Sequence, residues 1–202
     1  MKSLVKEQVT EIEIKKSRFI CYMKNVSSEE EAKDYIKQLK AEHPAAAHAC
    51  SAYRVGSIDR ANDDGEPSQT AGMPMLNVLL HNELINTIAV VVRYFGGIKL
   101  GAGGLVRAYT DATVAALNEA EVASLTPGVM IEIKCGYSDI DKINYILAQH
   151  HVQNFTTEFG QVVTFKGELS AAKFAMIEPE IINFNHLIKI AVLEQVIVVE
   201  DQ

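Results

Sequence analysis

Cysteine is scarce in this 202-residue chain: Cys21, Cys50 and Cys135 stand far apart among apolar neighbours. No CxxC pair exists, so neither a zinc site nor a disulfide framework is expected, and the thiols read as buried and reduced. Long apolar runs are missing too, and none approaches the roughly 20 residues of a membrane span. No apolar segment marks the start MKSLVKEQVTEIEIKK, which argues against a secretory leader and for a cytoplasmic location. Repeats, low-complexity tracts and basic amphipathic helices are absent. Positive charge is in deficit, with a formal net charge of −7. Residues 1–126 carry 14 Lys and Arg against 16 Asp and Glu, and residues 127–202 carry 5 against 10. An acidic chain is a poor general binder of nucleic acid, so any RNA contact is confined to a local basic patch on the first part.

What the chain does hold is one stretch around which the rest is organised. Residues 87–120 read TIAVVVRYFGGIKLGAGGLVRAYTDATVAALNEA. The unbroken apolar run Ile88–Val92 predicts a strand buried on both faces. Gly96, Gly97, Gly101, Gly103 and Gly104 then place five glycines within nine residues. Leu105, Ala108, Ala112 and Ala115 recur at helical spacing after them. A strand, a glycine-rich loop and a helix N-terminus together make a place for an anion. Glycines let a ligand approach the backbone, and the first helical turn has unpaired N–H groups and a partial positive charge. Arg93 and Lys99 flank the loop and Arg107 follows it, so phosphate or nucleic-acid contact is expected at Arg93, Gly96, Gly97, Lys99, Gly101, Gly103, Gly104 and Arg107. A tight turn whose glycines serve backbone geometry alone is the competing reading. Neither GxxxxGK[ST] nor GxGxxG spacing is met.

Upstream, residues 59–70 read as a polar loop, DRANDDGEPSQT, with turn signals at Asp64-Gly65 and Pro67. Asp63, Asp64 and Glu66 lie within four residues. They either hold a hard cation or pair with Arg93 or Arg107 and so fix the glycine loop. The EF-hand pattern fails, because its first acidic position falls on Arg60, and no metal ligand set or cofactor is assigned. Ser68 or Thr70 is expected to cap the next helix, with Pro74 in its first turn.

The remaining elements follow from period and punctuation. Val9–Ile14 alternates as a half-buried strand, Lys15 to Arg18 make a basic turn, and Phe19–Met23 forms a second strand. Ser27 or Ser28 caps a helix striped by Ala32, Tyr35, Ile36 and Leu39, which stops before Pro44. Residues 47–55 form a third strand carrying His48 and Arg54. His48 reads as structural, since no partner is evident. Arg54 extends the basic patch or meets a carboxylate. Pro127-Gly128 marks a boundary between residues 1–126 and 127–202. Beyond it come a strand at Val129–Cys135, a helix capped by Ser138, a hairpin of Val152–Phe159 with Val162–Leu169, and a helix capped by Ser170 and strained at Pro179. Leu187–Val199 supplies the last strand or two. His150 and His151 are adjacent, so they cannot face one metal as an i, i+4 pair would. The order βαββαβ is the ferredoxin-like split pattern, which by itself assigns no function.

RYFGGIKLGAGGLVRAY, from Arg93 to Tyr109, is very similar to the signature of the YigZ/IMPACT family. DDGEPSQTAGMP, from Asp63 to Pro74, resembles the family's other landmark, with Gln69 standing where that pattern has a glycine. The resemblance is strong over residues 1–125, and the remainder is similar to the smaller C-terminal domain of bacterial members. It implies an α+β protein. Residues 1–126 would form an α/β domain like the second domain of ribosomal protein S-five, shared by elongation factor G domain four. Residues 127–202 would form a ferredoxin-like βαββαβ domain. It also implies a link to translation, since eukaryotic relatives regulate it under amino-acid starvation by competing for a protein that activates a kinase. That competition mechanism is not carried over to this chain.

Three functions are therefore expected to compete. In the first, the glycine loop binds RNA, the ribosome or another phosphate-bearing partner. Lys15, Lys16 and Arg18 extend the surface, and phosphate contacts position without reading sequence, so no DNA sequence specificity is expected. In the second, the chain is an enzyme acting on a phosphorylated small molecule, with Asp63, Asp64 and Glu66 as metal or acid/base groups. In the third, it regulates translation through a protein partner and its loops are structural.

Overall fold

The computed structural model describes residues 1–152 and 155–199 and divides the chain into two compact units, Met1–Ala123 and Ser124–Gln202. The first unit holds β1 (Lys2–Leu4), β2 (Gln8–Ile14), β3 (Ser17–Asn25), α1 (Glu29–Glu42), β4 (His48–Val55), β5 (Ile58–Asn62), α2 (Gly72–His81), β6 (Thr87–Tyr94) and α3 (Ala102–Glu119).

Strands β2-β3-β6-β4-β5 make one antiparallel sheet with β6 at its centre. Strand β6 is buried from Thr87 to Arg93, because both faces of the sheet are covered. Its side chains alternate between two cores. Ala89 and Val91 join Phe19, Cys21, Met23, Met75, Leu79 and Tyr109 on the face carrying α2 and α3. Ile88, Val90 and Val92 join Tyr35, Leu39 and Tyr53 on the face carrying α1. The first domain is thus a three-layer arrangement, which explains why its central strand reads as continuously apolar. All three cysteines are buried free thiols.

Helix α1 begins where the sequence places it. Ser28 Oγ accepts from Glu31 N at 3.1 Å, and the Glu31 carboxylate accepts from Ser27 N at 2.8 Å. Between β2 and β3, Ile14 pairs with Ser17, so Lys15 and Lys16 alone form the turn. Their φ values of 47° and 65° are the pair a type I′ hairpin requires. Three details differ from the sequence reading. Residues 59–62 belong to β5, not to the loop. As an edge strand with one neighbour and an exposed surface, β5 needs no apolar alternation to form. Strand β1 was not anticipated; it bridges Lys2 to Leu84. Helix α2 has Ala71 at its N-cap position, and neither Ser68 nor Thr70 caps it. The capping oxygens come from Asp63, as described below.

In the second unit, β7 (Val122–Cys135) runs unbroken through Pro127-Gly128, with Ile197 and Val196 registered opposite those residues. A short 3-10 turn (Tyr137–Asp139) precedes α4 (Ile140–Gln149), β8 (Thr156–Phe159), β9 (Val163–Ser170), α5 (Ala171–Phe184) and β10 (Lys189–Val199). The spatial order β10-β7-β9-β8, all antiparallel, is ferredoxin-like. Val129, Ile131, Ile133 and Cys135 face the helices in strict alternation. Ser170 Oγ caps α5 by accepting from Lys173 N at 3.2 Å. Ser138 does not cap α4, because the chain first makes the 3-10 turn. His150 ends α4 and meets Glu180 at 2.8 Å. Gln153 and Asn154, inside the expected first hairpin strand, lie outside the described residues. No helix among the described residues is long and apolar enough to cross a membrane.

Candidate functional site

One end of the first sheet gathers the chemistry. Arg93 near the end of β6, His48 at the start of β4, the acidic loop between β5 and α2, and the glycine loop between β6 and α3 share this neighbourhood. The β4–β6 register places His48 opposite Arg93.

The acidic loop is held by its own carboxylates. Asp63 Oδ1 accepts from Ala71 N at 3.0 Å and Gly72 N at 2.8 Å, and Oδ2 accepts from Gln69 N at 2.7 Å. Asp63 therefore supplies the N-terminal cap of α2 from eight and nine residues upstream. Partial burial works against ionisation of its carboxyl, yet the three amide bonds outweigh that and hold it below the usual carboxylate range. Asp64 accepts from Ala49 N at 2.7 Å and meets Lys40. Gln69, in the position where the family pattern has glycine, adopts φ 62°. The backbone thus follows a left-handed path that glycine takes without strain.

Glu66 lies deeper. Its Oε1 accepts from Arg93 Nη1 at 2.5 Å and from the Tyr109 hydroxyl at 2.9 Å, with Glu66 and Arg93 side chains 4% and 6% exposed. The guanidinium carbon sits 5.4 Å from the Phe19 ring centroid and 5.6 Å from that of Phe95. Tyr109 meets Phe19 edge-on and lies 3.2 Å from Cys50 Sγ. Burial pushes the Cys50 thiol up to about 12 and raises the Tyr109 phenol, so both stay protonated. Arg93, expected either to contact phosphate or to pair with the acidic loop, is an internal tie to that loop. Of the three carboxylates, Glu66 meets an arginine, whereas Asp63 takes amides and Asp64 takes an amide and a lysine. Among the described residues no three His, Cys, Asp or Glu side chains converge as a metal group would require.

The glycine loop divides into two kinds of glycine. Gly96 is packed against the hairpin turn, where a Cβ would fall 2.0 Å from the Lys16 carbonyl. Gly97 and Gly101 have φ of 84° and 71°. Gly103 has helical backbone and nothing within 4 Å of the space its Cβ would fill, and Gly104 has Leu100 Cβ at 3.1 Å. Gly101 is the N-cap of α3, and no side chain among the described residues caps that helix. Lys99, Arg107, Lys15 and Lys16 are exposed, and Arg107 Nε donates weakly to Gly103 O at 3.3 Å. Arg18 is engaged by Glu11 through two bonds of 2.7 and 2.9 Å. Arg54 is likewise taken, by Asp59 and Leu84 O.

The Impact N-terminal domain model matches residues 15–117, and a domain of unknown function (DUF1949) matches residues 133–185. The chain belongs to the IMPACT family. It is 37% identical over 178 residues to the IMPACT family member YigZ of Escherichia coli, covering 86% of this chain and 87% of that one. It is 50% identical over 136 residues to the family member YvyE of Bacillus subtilis, a match spanning 66% of this chain and 63% of the relative. A solved structure described as a crystal structure of a hypothetical protein matches 96% of this chain and 97% of its own. Its identity is 33% and its TM-score 0.67. Both IMPACT landmarks fall at the sheet end just described, one carrying Glu66 and the other Arg93 and Tyr109.

Sequence reasoning took His48 as structural and Cys50 as a buried thiol, and it gave Tyr109 no role. His48 has partners after all: its Nδ1 is 2.8 Å from Asp64 O, and its Nε2 is 3.8 Å from Glu66 Oε2. No local signal announces them, since Glu66 is 18 residues from His48 and 43 from Tyr109.

Proposed function

We propose that this IMPACT-family chain acts in translation or its regulation, in the cytoplasm, by holding a phosphate-bearing partner, RNA or the ribosome, at the glycine-rich loop. The observation that carries this reading is the combination at the start of α3. No side chain among the described residues caps the helix N-terminus, and Gly103 in its first turn has nothing within 4 Å of where a Cβ would stand, which leaves the backbone open to a ligand. Lys99 and Arg107 on the loop and helix, and Lys15 and Lys16 on the hairpin turn, supply exposed positive charge. Arg93 drops out of the contact set and instead fixes the loop's origin against Glu66. The net charge of −7 restricts the surface to this patch and disfavours indiscriminate nucleic-acid binding. The alternative of a metal-dependent enzyme using Asp63 and Asp64 is less well supported, because both carboxylates are committed to backbone amides and Lys40.

The test is fluorescence-anisotropy titration of a short single-stranded RNA against salt. Four cationic contacts would cost on the order of a hundredfold in affinity between 50 and 200 mM salt. Lys99→Ala and Arg107→Ala should each flatten that dependence. Affinity that ignores both salt and these substitutions contradicts the reading.

A further inference from the structure

Strand β10 is a sheet edge that the fold leaves unprotected. Exposed edges are normally short, charged or covered, because their unpaired N–H and C=O groups recruit another strand. The edges of the first unit's sheet follow that rule: β2 carries Glu11 and Glu13, and β5 is five residues long and carries Asp59 and Arg60. In the second unit, β8 is only four residues long. Strand β10 instead runs for eleven residues, KIAVLEQVIVV, of which only Lys189 and Glu194 are charged. It pairs with β7 alone, and no backbone bond among the described residues closes its other edge. Val192, Leu193 and, just before the strand, Leu187 keep 44%, 49% and 74% of their surface exposed. Backbone groups spaced for a ladder, with apolar side chains beside them, fit an added strand.

The two charges choose whose strand it is. Lys189 stands opposite Lys134 of β7, Ala191 opposite Glu132 and Glu194 opposite Met130. Those β7 residues alternate with Val129, Ile131 and Ile133 of the core, so Lys189, Ala191 and Glu194 share the face away from the helices. Residues five apart would ordinarily lie on opposite faces. The register shift between Val192 and Glu194, a bulge at Leu193, brings these two onto one face. Lys189 then lies two rungs before Ala191, and Glu194 two rungs after it. Neither makes an ion pair with another described residue, and Lys189 faces a like charge. We propose that β10 pairs with β10 of a second copy of this chain, antiparallel about a two-fold axis at Ala191. In that register Lys189 meets Glu194 of the second copy, and symmetry makes the contact twice. On the helix side Ile190 stands opposite Val192 of the second copy, apolar against apolar. A strand from a different protein would satisfy the same backbone groups, but it gives no reason for opposite charges placed evenly about one residue. The contact lies in the second unit and is independent of the glycine loop.

Sedimentation equilibrium of the full chain tests this, with wild type, Lys189→Glu, Glu194→Lys and an equimolar mixture of the two variants. Wild type should populate a dimer. Each single reversal sets like charges opposite one another twice and should weaken dimerisation about tenfold. In the mixture one chain is acidic at both positions and the other basic at both, so both attractive pairs return and the heterodimer should regain wild-type affinity. Mixing cannot rescue a lost fold, and circular dichroism of each variant confirms that the fold is kept. A dimer indifferent to the reversals, or variants that stay apart on mixing, overturns the proposal. A wild-type chain still monomeric at about 1 mM overturns it too and leaves the edge to a strand of another protein.

Discussion

Arg93 Nη1 donates to Glu66 Oε1 across 2.5 Å, and neither side chain keeps more than 6% of its surface exposed. The bond joins the two landmark motifs of the family from 27 residues apart in sequence. Removing one partner of a buried ion pair leaves the other charge uncompensated, at a cost of about 3–5 kcal/mol. Arg93→Ala should therefore lower the midpoint of denaturant unfolding steeply. Arg93→Ala combined with Glu66→Ala should cost less than the sum of the single changes. Additive losses would show that the pair is not coupled.

Asp63 makes the same loop pH-sensitive. Its folded-state carboxyl titrates below the ordinary value near 3.9. Its contribution is therefore fully present above that value and is lost as pH falls through the lower folded-state value. Asp63→Asn keeps one acceptor oxygen and should cost about 1–3 kcal/mol at neutral pH, since Gln69 N loses its acceptor. The gap between wild type and variant should close as pH falls below about 4. Acid titration of stability followed by circular dichroism checks this, and a gap constant with pH would refute it.

Gln69 occupies a left-handed backbone position at φ 62°. Gln69→Gly relieves a penalty of about 1 kcal/mol and should raise the thermal midpoint by a few degrees. A drop in the midpoint would mean that the Gln69 side chain makes up for the strain.

These residues also show how far sequence alone reaches. Period and capping found β6, α1 with Ser27 or Ser28 as its cap (Ser28 in the structure) and α5 with Ser170, because those signals act within a few residues. The alternation at Val129, Ile131 and Ile133 placed the second core for the same reason. Strand β5 escaped because an exposed edge has no apolar pattern to read. Asp63 escaped as the cap of α2 because its amides come from a loop that first has to fold back. For Arg93 the sequence left two readings open, a cation contacting phosphate beside the glycine loop or a partner for the acidic loop. Only Glu66, brought from another loop, turns it inward, and His48 stayed unpaired on paper for the same reason.

Gly103 separates ligand binding from backbone geometry. Its φ is helical and its Cβ position is open, so Gly103→Ala should stabilise α3 by about 0.5–1 kcal/mol. The added methyl should at the same time weaken anion binding at the first turn. A more stable protein with undiminished binding would show that the glycine serves no ligand.

The most direct measurement is sedimentation of the purified protein with ribosomes at 50 and 200 mM salt, wild type beside Lys99→Ala/Arg107→Ala. Both replaced residues are exposed, so the fold should survive. Wild-type protein that pellets at low salt, is released on the order of a hundredfold more readily at high salt, and fails to pellet in the double variant is the predicted result. Pelleting that is indifferent to salt and to both substitutions would contradict a phosphate site at the glycine loop.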